Sequence, residues 1–128
     1  MTETSIDLET HPVTDSDCLF CKIVAGDIPA DIVHRTGDIL AFRDINPQAP
    51  LHVLVIPTDH MASLEAAQDG HRDVLGALML TARDIARAEH VAEDGYRTVM
   101  NVGVDGGQTV HHVHLHLLAG RALGWPPG

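Results

Sequence analysis

The apolar positions change period in a readable order. Residues 1–15 hold little to bury and read as a flexible acidic tail ahead of a domain at 16–128. Residues 17–26 predict a short helix, with Asp17 able to cap its start and Gly26 its end. Residues 31–35 and 39–44 read as strands joined by a tight turn at Thr36-Gly37-Asp38. Pro47 and Pro50 mark a loop, and the apolar run 51–57 reads as a buried strand. Over 71–90, Val74, Leu75, Leu78, Met79, Ala82, Ile85 and Ala86 recur at helical spacing with Arg and Asp between them. They predict the one long helix, stopped by Gly95. Residues 96–102 and 110–118 are the last strands, joined by the glycine-rich segment 103–107. Met61, Met79 and Met100 read as core. Strands gather around one long helix without regular βα alternation, which predicts an α+β fold with a mainly antiparallel sheet.

Composition narrows this picture without redirecting it. A chain of 128 residues with 45% apolar content suits one domain with its own core. The formal net charge is −10, and Glu3, Asp7, Glu9, Asp15 and Asp17 contribute half of it with no Lys or Arg among the first 17 residues. An acidic chain without a basic run argues against nucleic acid or an anionic membrane as partner. A small anionic ligand is compatible, because one pocket can be locally positive. No stretch approaches the roughly 18–20 apolar residues of a membrane span, and residues 1–17 lack the pattern of a secretory signal. A cytoplasmic location is the expectation.

The chemistry concentrates at His111-His112-Val113-His114-Leu115-His116-Leu117. Side chains on a strand alternate faces, so His112, His114 and His116 share one face and Val113, Leu115 and Leu117 the other. Three imidazoles in register repel one another when protonated, which speaks against idle packing. Positions i and i+4 of a strand lie roughly 13 Å apart, so one metal ion cannot take all three. Covalent catalysis remains: a central imidazole attacks while its neighbours set its tautomer and move protons. The preceding glycine-rich turn would let backbone N–H groups approach an anion.

A second motif is Cys18-x-x-Cys21. A disulfide does not suit a chain without a secretory signal, and a redox pair would want a βαβ setting that is missing. Two readings stay open on the residues alone. They are two small apolar side chains on a helix, or two thiolates of a tetrahedral site that needs two further ligands. His60, after the buried strand, reads as a surface loop residue.

The run His112-Val113-His114-Leu115-His116-Leu117-Leu118 matches the His-φ-His-φ-His-φ-φ signature, with φ apolar, of the histidine-triad family. Residues 42–57, Gly95-Tyr96-Arg97, Asn101 and Gly106-Gly107-Gln108 resemble its other segments, and Trp125-Pro126-Pro127-Gly128 resembles the C-terminus of its Hint branch. The resemblance implies a HIT-like fold and a purine-preferring nucleoside 5′-phosphoramidate hydrolase that releases AMP or GMP and an amine. It makes His114 the nucleophile of a nucleotidyl-histidine intermediate, with His112 and His116 assisting. Asn101, Gln108 and Thr109 match phosphate and leaving-group contacts; the branch more often has Ser where Thr109 stands. Leu19, Phe20, Ile23, Phe42 and Ile45 match a purine pocket, and Asp44 matches a carboxylate that takes the ribose hydroxyls. Relatives with the cysteine pair imply a structural zinc on Cys18, Cys21, His52 and His112; eukaryotic Hint proteins lack both cysteines. The family also implies a homodimer whose sheet continues across the two-fold axis, placing Trp125 near the partner's site. Two alternatives remain: a dinucleoside polyphosphate hydrolase or nucleotide phosphorylase of the same family, or a purine-nucleotide-binding regulator with incidental turnover.

Overall fold

A computed structural model describes residues 14–128, so the expected tail lies outside the described residues except for its last two. The chain forms α1 (Leu19–Ala25), β1 (Ile32–Arg35), β2 (Ile39–Arg43), β3 (Leu51–Pro57), α2 (Arg72–Ala88), β4 (Tyr96–Val99) and β5 (Leu115–Ala119). Two 3-10 turns, Leu64–Ala66 and Asp69–His71, lead into α2. The five strands make one sheet in the order β1-β2-β3-β5-β4, and every neighbouring pair is antiparallel. The architecture is the expected α+β fold with one short and one long helix.

Strand alternation divides the core. Ala41, Val53, Val55, Leu115 and Leu117 face Leu78, Ala82 and Ile85 of α2. Leu40, Phe42, Leu54 and Ile56 face Phe20, Ile23 and Val24 of α1. The central strand β3 is buried along its whole length, which explains its unbroken apolar run. None of the helices among the described residues is long and apolar enough to cross a membrane.

Four expectations change. The N-cap of α1 is Cys18, whose Sγ accepts the Cys21 N–H at 3.4 Å, and Asp17 lies before it. Gly26 does close the helix, at φ 85°. The long helix ends at Ala88 and not at Gly95. His90 takes φ 63° there, and N–H groups of His90 and Val91 turn back to the carbonyls of Arg87 and Ala86. Met79 is 50% exposed, because the buried stripe runs through Leu78, Thr81, Ala82, Ile85 and Ala86 and Met79 lies about 100° round from Leu78. The last strand starts only at Leu115. Before it, the Val113 N–H bonds the Met61 carbonyl at 2.7 Å, so the loop after β3 replaces the ladder. Alternation survives nonetheless: Val113 joins the α2 core while His112 and His114 point to the α1 side.

Candidate active site and metal centre

On the α1 side of the sheet lies a cavity of about 270 Å³. Leu19, Phe20 and Ile23 line it from α1, Phe42, Asp44 and Ile45 from the end of β2 and beyond, and Thr109, His114 and His116 from the last segment. All nine were expected at a nucleotide site. Ile28, Pro29 and Ala30, from the chain after α1, complete the apolar wall. Sequence reasoning missed them because the turn after Gly26 gives no signal of its direction. Ile45 is 99% exposed and Leu19 45%, so apolar surface stands open at this mouth.

Hydrogen bonds fix the tautomers of three imidazoles. His114 Nδ1 lies 2.7 Å from the carbonyl oxygen of His112, which only accepts. The proton therefore sits on Nδ1, and Nε2 carries a bare lone pair. The Gln48 peptide N–H donates to His52 Nδ1 at 3.0 Å, so the His52 proton sits on Nε2. That nitrogen is 2.9 Å from His116 Nδ1 and 3.5 Å from Asp44 Oδ2. His116 accepts at Nδ1 and keeps its proton on Nε2. His116 Nε2 is buried without a hydrogen-bond partner among the described residues. Burial, with His114 and His52 nearby, pulls the His116 pKa down to about 4, and burial also lowers that of His52 against the pull of Asp44. Asp44 Oδ1 is taken by the Asn46 N–H at 2.9 Å.

Other expected residues stand elsewhere. The His112 ring does not line the cavity; its carbonyl, not its imidazole, orients His114. Gln108 does not line it either. Its amide N–H groups go to the carbonyls of Ala62 and Val110 and its oxygen accepts from Gly103, tying the glycine-rich loop down. Within that loop Gly106 lies so close to the Val102 backbone that a Cβ has no room. Asn101 and Trp125 are also absent from the lining, and Trp125 is 82% exposed.

A separate cluster gathers Cys18, Cys21, His60 and His112, whose donor atoms all lie within 4.8 Å of one another. His52, expected as a ligand, is not in it. The His112 ring donates from Nε2 to the carbonyl of Pro57, which sets the cluster at the far end of β3. His52 is five residues back along that strand, roughly 17 Å away. His60, three residues beyond the end of β3, takes the place, and only strand length could have chosen between the two. His112 Nδ1 is 3.3 Å from Cys18 Sγ, 3.6 Å from Cys21 Sγ and 3.3 Å from His60 Nδ1, and Cys21 Sγ is 3.4 Å from His60 Nδ1. A tetrahedral zinc with Zn–S of about 2.3 Å and Zn–N of about 2.0–2.1 Å needs ligand edges of roughly 3.3–3.8 Å, so the donor set fits that ion. Burial pushes the Cys21 thiol up to about 11, the opposite of a reactive redox cysteine.

The HIT domain family matches residues 25–123. The chain belongs to the HIT family. It is 47% identical to a "14 kDa zinc-binding protein" of Zea mays, over 89% of this chain and 90% of that one. It is 45% identical to the purine nucleoside phosphoramidase of Escherichia coli K12, over 84% of this chain and 91% of the relative. Among solved structures, a HIT family hydrolase from Legionella pneumophila superposes with a TM-score of 0.86 at 51% identity, covering 88% of this chain and all of that one. The HIT fold is thus shared along nearly the whole described chain.

Proposed function

We propose that this HIT protein is a nucleoside 5′-phosphoramidate hydrolase, favouring purines and acting through a nucleotidyl-histidine on His114. The observation that carries the reading is a buried imidazole with a bare Nε2 lone pair beside a buried Nε2–H that has no partner among the described residues, both rings lining an apolar cavity. A flat base fits between Phe20, Ile23 and Phe42 and would cover the exposed Leu19 and Ile45. Asp44 Oδ2 would accept from the ribose hydroxyls. His114 Nε2 attacks the α-phosphorus, a P–N bond to His114 forms, and the substrate P–N bond breaks. The leaving amine takes a proton from solvent, while the Thr109 hydroxyl and the His116 Nε2–H, both lining the cavity, would donate hydrogen bonds to the phosphoryl oxygens and keep their own protons. Water then attacks phosphorus, the His114 bond breaks, and the nucleoside monophosphate departs. The phosphoramidase name of the bacterial relative supports the same bond.

Cys18, Cys21, His60 and His112 would hold zinc. When bound it supplies charge neutralisation for two thiolates and a crosslink between α1 and the segment before β5. One zinc per chain is expected in protein purified without chelators.

The test is a substrate panel of purine and pyrimidine phosphoramidates, such as AMP-lysine and AMP-NH₂, against Ap₃A and Ap₄A. The expected order of kcat/KM is purine phosphoramidates first. In His114→Ala, turnover should vanish while the fold persists, since the two-step path is lost. Retention of more than about a tenth of the activity would refute the nucleophile assignment.

A further inference from the structure

Asp15 lies outside the matched family segment, in the acidic stretch that precedes α1. Its groups nevertheless reach three of the four clustered residues, one of them at its donor atom. Its backbone N–H points at Cys21 Sγ at 3.4 Å. Its carbonyl accepts the Cys18 N–H at 3.0 Å. Its carboxylate Oδ2 lies 3.9 Å from His60 Nε2, a charge contact longer than a hydrogen bond. The other oxygen, Oδ1, accepts the Asp17 N–H at 2.9 Å, a local turn that aims the carboxylate.

The two histidines of the cluster are then prepared alike. The Pro57 carbonyl holds a proton on His112 Nε2 and leaves its Nδ1 bare. An anion beside His60 Nε2 favours the proton there and bares the His60 Nδ1. The two Nδ1 atoms face each other at 3.3 Å, too close for two lone pairs without a cation between them. A carboxylate hydrogen-bonded behind a ligating imidazole fixes the ring and strengthens it as a ligand; at 3.9 Å Asp15 supplies the charge without the bond.

We propose that Asp15 is a positioning residue for the metal centre, holding His60 in its Nδ1-bare tautomer and placing a negative charge beside the bound cation. The proposal rests on the zinc reading of the cluster.

The experiment uses the full-length zinc-loaded protein, competed near neutral pH against a chromophoric chelator. Asp15→Asn keeps the turn-forming oxygen and both backbone contacts but removes the charge. It should release zinc about tenfold more readily, the low end for such partners because the carboxylate is half exposed. Asp17→Asn removes an equal charge while its amide still serves the turn, and should match the parent. Melting of the metal-stripped Asp15→Asn protein should also match the stripped parent, which separates metal retention from a folding defect. Zinc affinity unchanged in Asp15→Asn, or lowered as far in Asp17→Asn, overturns the proposal and leaves the zinc reading standing. A parent that takes up no zinc overturns both.

Discussion

One peptide N–H, that of Gln48, decides where the proton sits on two imidazoles in succession, because His52 Nδ1 must accept it and His116 Nδ1 must then accept from His52. His52 and His60 therefore predict opposite phenotypes. His52→Ala should lower kcat/KM by about ten- to a hundredfold, short of the loss from a direct proton-transfer group, and leave zinc content unchanged. His60→Ala should lose the metal. Metal analysis and kinetics on the same samples would sink this division if His52→Ala proved metal-free. The depressed His116 pKa has a further, pH-dependent consequence. The unfolded chain takes up that proton near 6.5 and the folded one only near 4, so unfolding binds a proton in between. Stability should fall as the pH drops from about 6.5 towards 4 and gain nothing from this group above 6.5. Urea midpoints across that range should fall less steeply for His116→Asn than for the parent; parallel slopes would contradict the assignment.

At the scale of elements, the end of α2 is the clearest local conflict between sequence and conformation. His90 occupies the left-handed position that closes the helix, where a side chain costs about 1 kcal/mol or more and glycine does not. His90→Gly should raise the stability by about 0.5–1 kcal/mol, read as a higher denaturation midpoint with activity intact. This end was illegible because the apolar period runs on and the nearest glycine, Gly95, is the more obvious stop. The face shared by His114 and His116 was legible, since strand alternation depends on nothing beyond neighbours. The places of His52 and His60 were not, because both depend on which end of β3 meets α1. The short β5 was hidden in the same way: a contact between Val113 and Met61, far apart in sequence, stands in for strand pairing.

For the whole molecule, β4 ends the sheet with no strand on its outer side among the described residues. Tyr96 on that strand is 38% exposed, and Met79 and Leu80 of α2 are 50% and 53% exposed. An open strand edge with apolar neighbours suits pairing with a second copy about a two-fold axis. The protein should scatter light as a particle of about twice 13.8 kDa at micromolar concentration. If it does, the open Trp125 is free to reach the partner, and Trp125→Ala should shift leaving-group preference more than melting temperature. A monomer would defeat both expectations.

Position 112 performs two tasks with two different parts of one residue. Its ring belongs to the cysteine cluster, while its carbonyl orients His114, the proposed nucleophile. Every amino acid brings a carbonyl, but only a few bring a metal ligand. The orienting contact would thus outlive replacement of the side chain, provided the local backbone path is kept. The proposed metal site and the proposed catalyst are therefore separable: a change of ring at position 112 would remove the first and spare the orientation of the second.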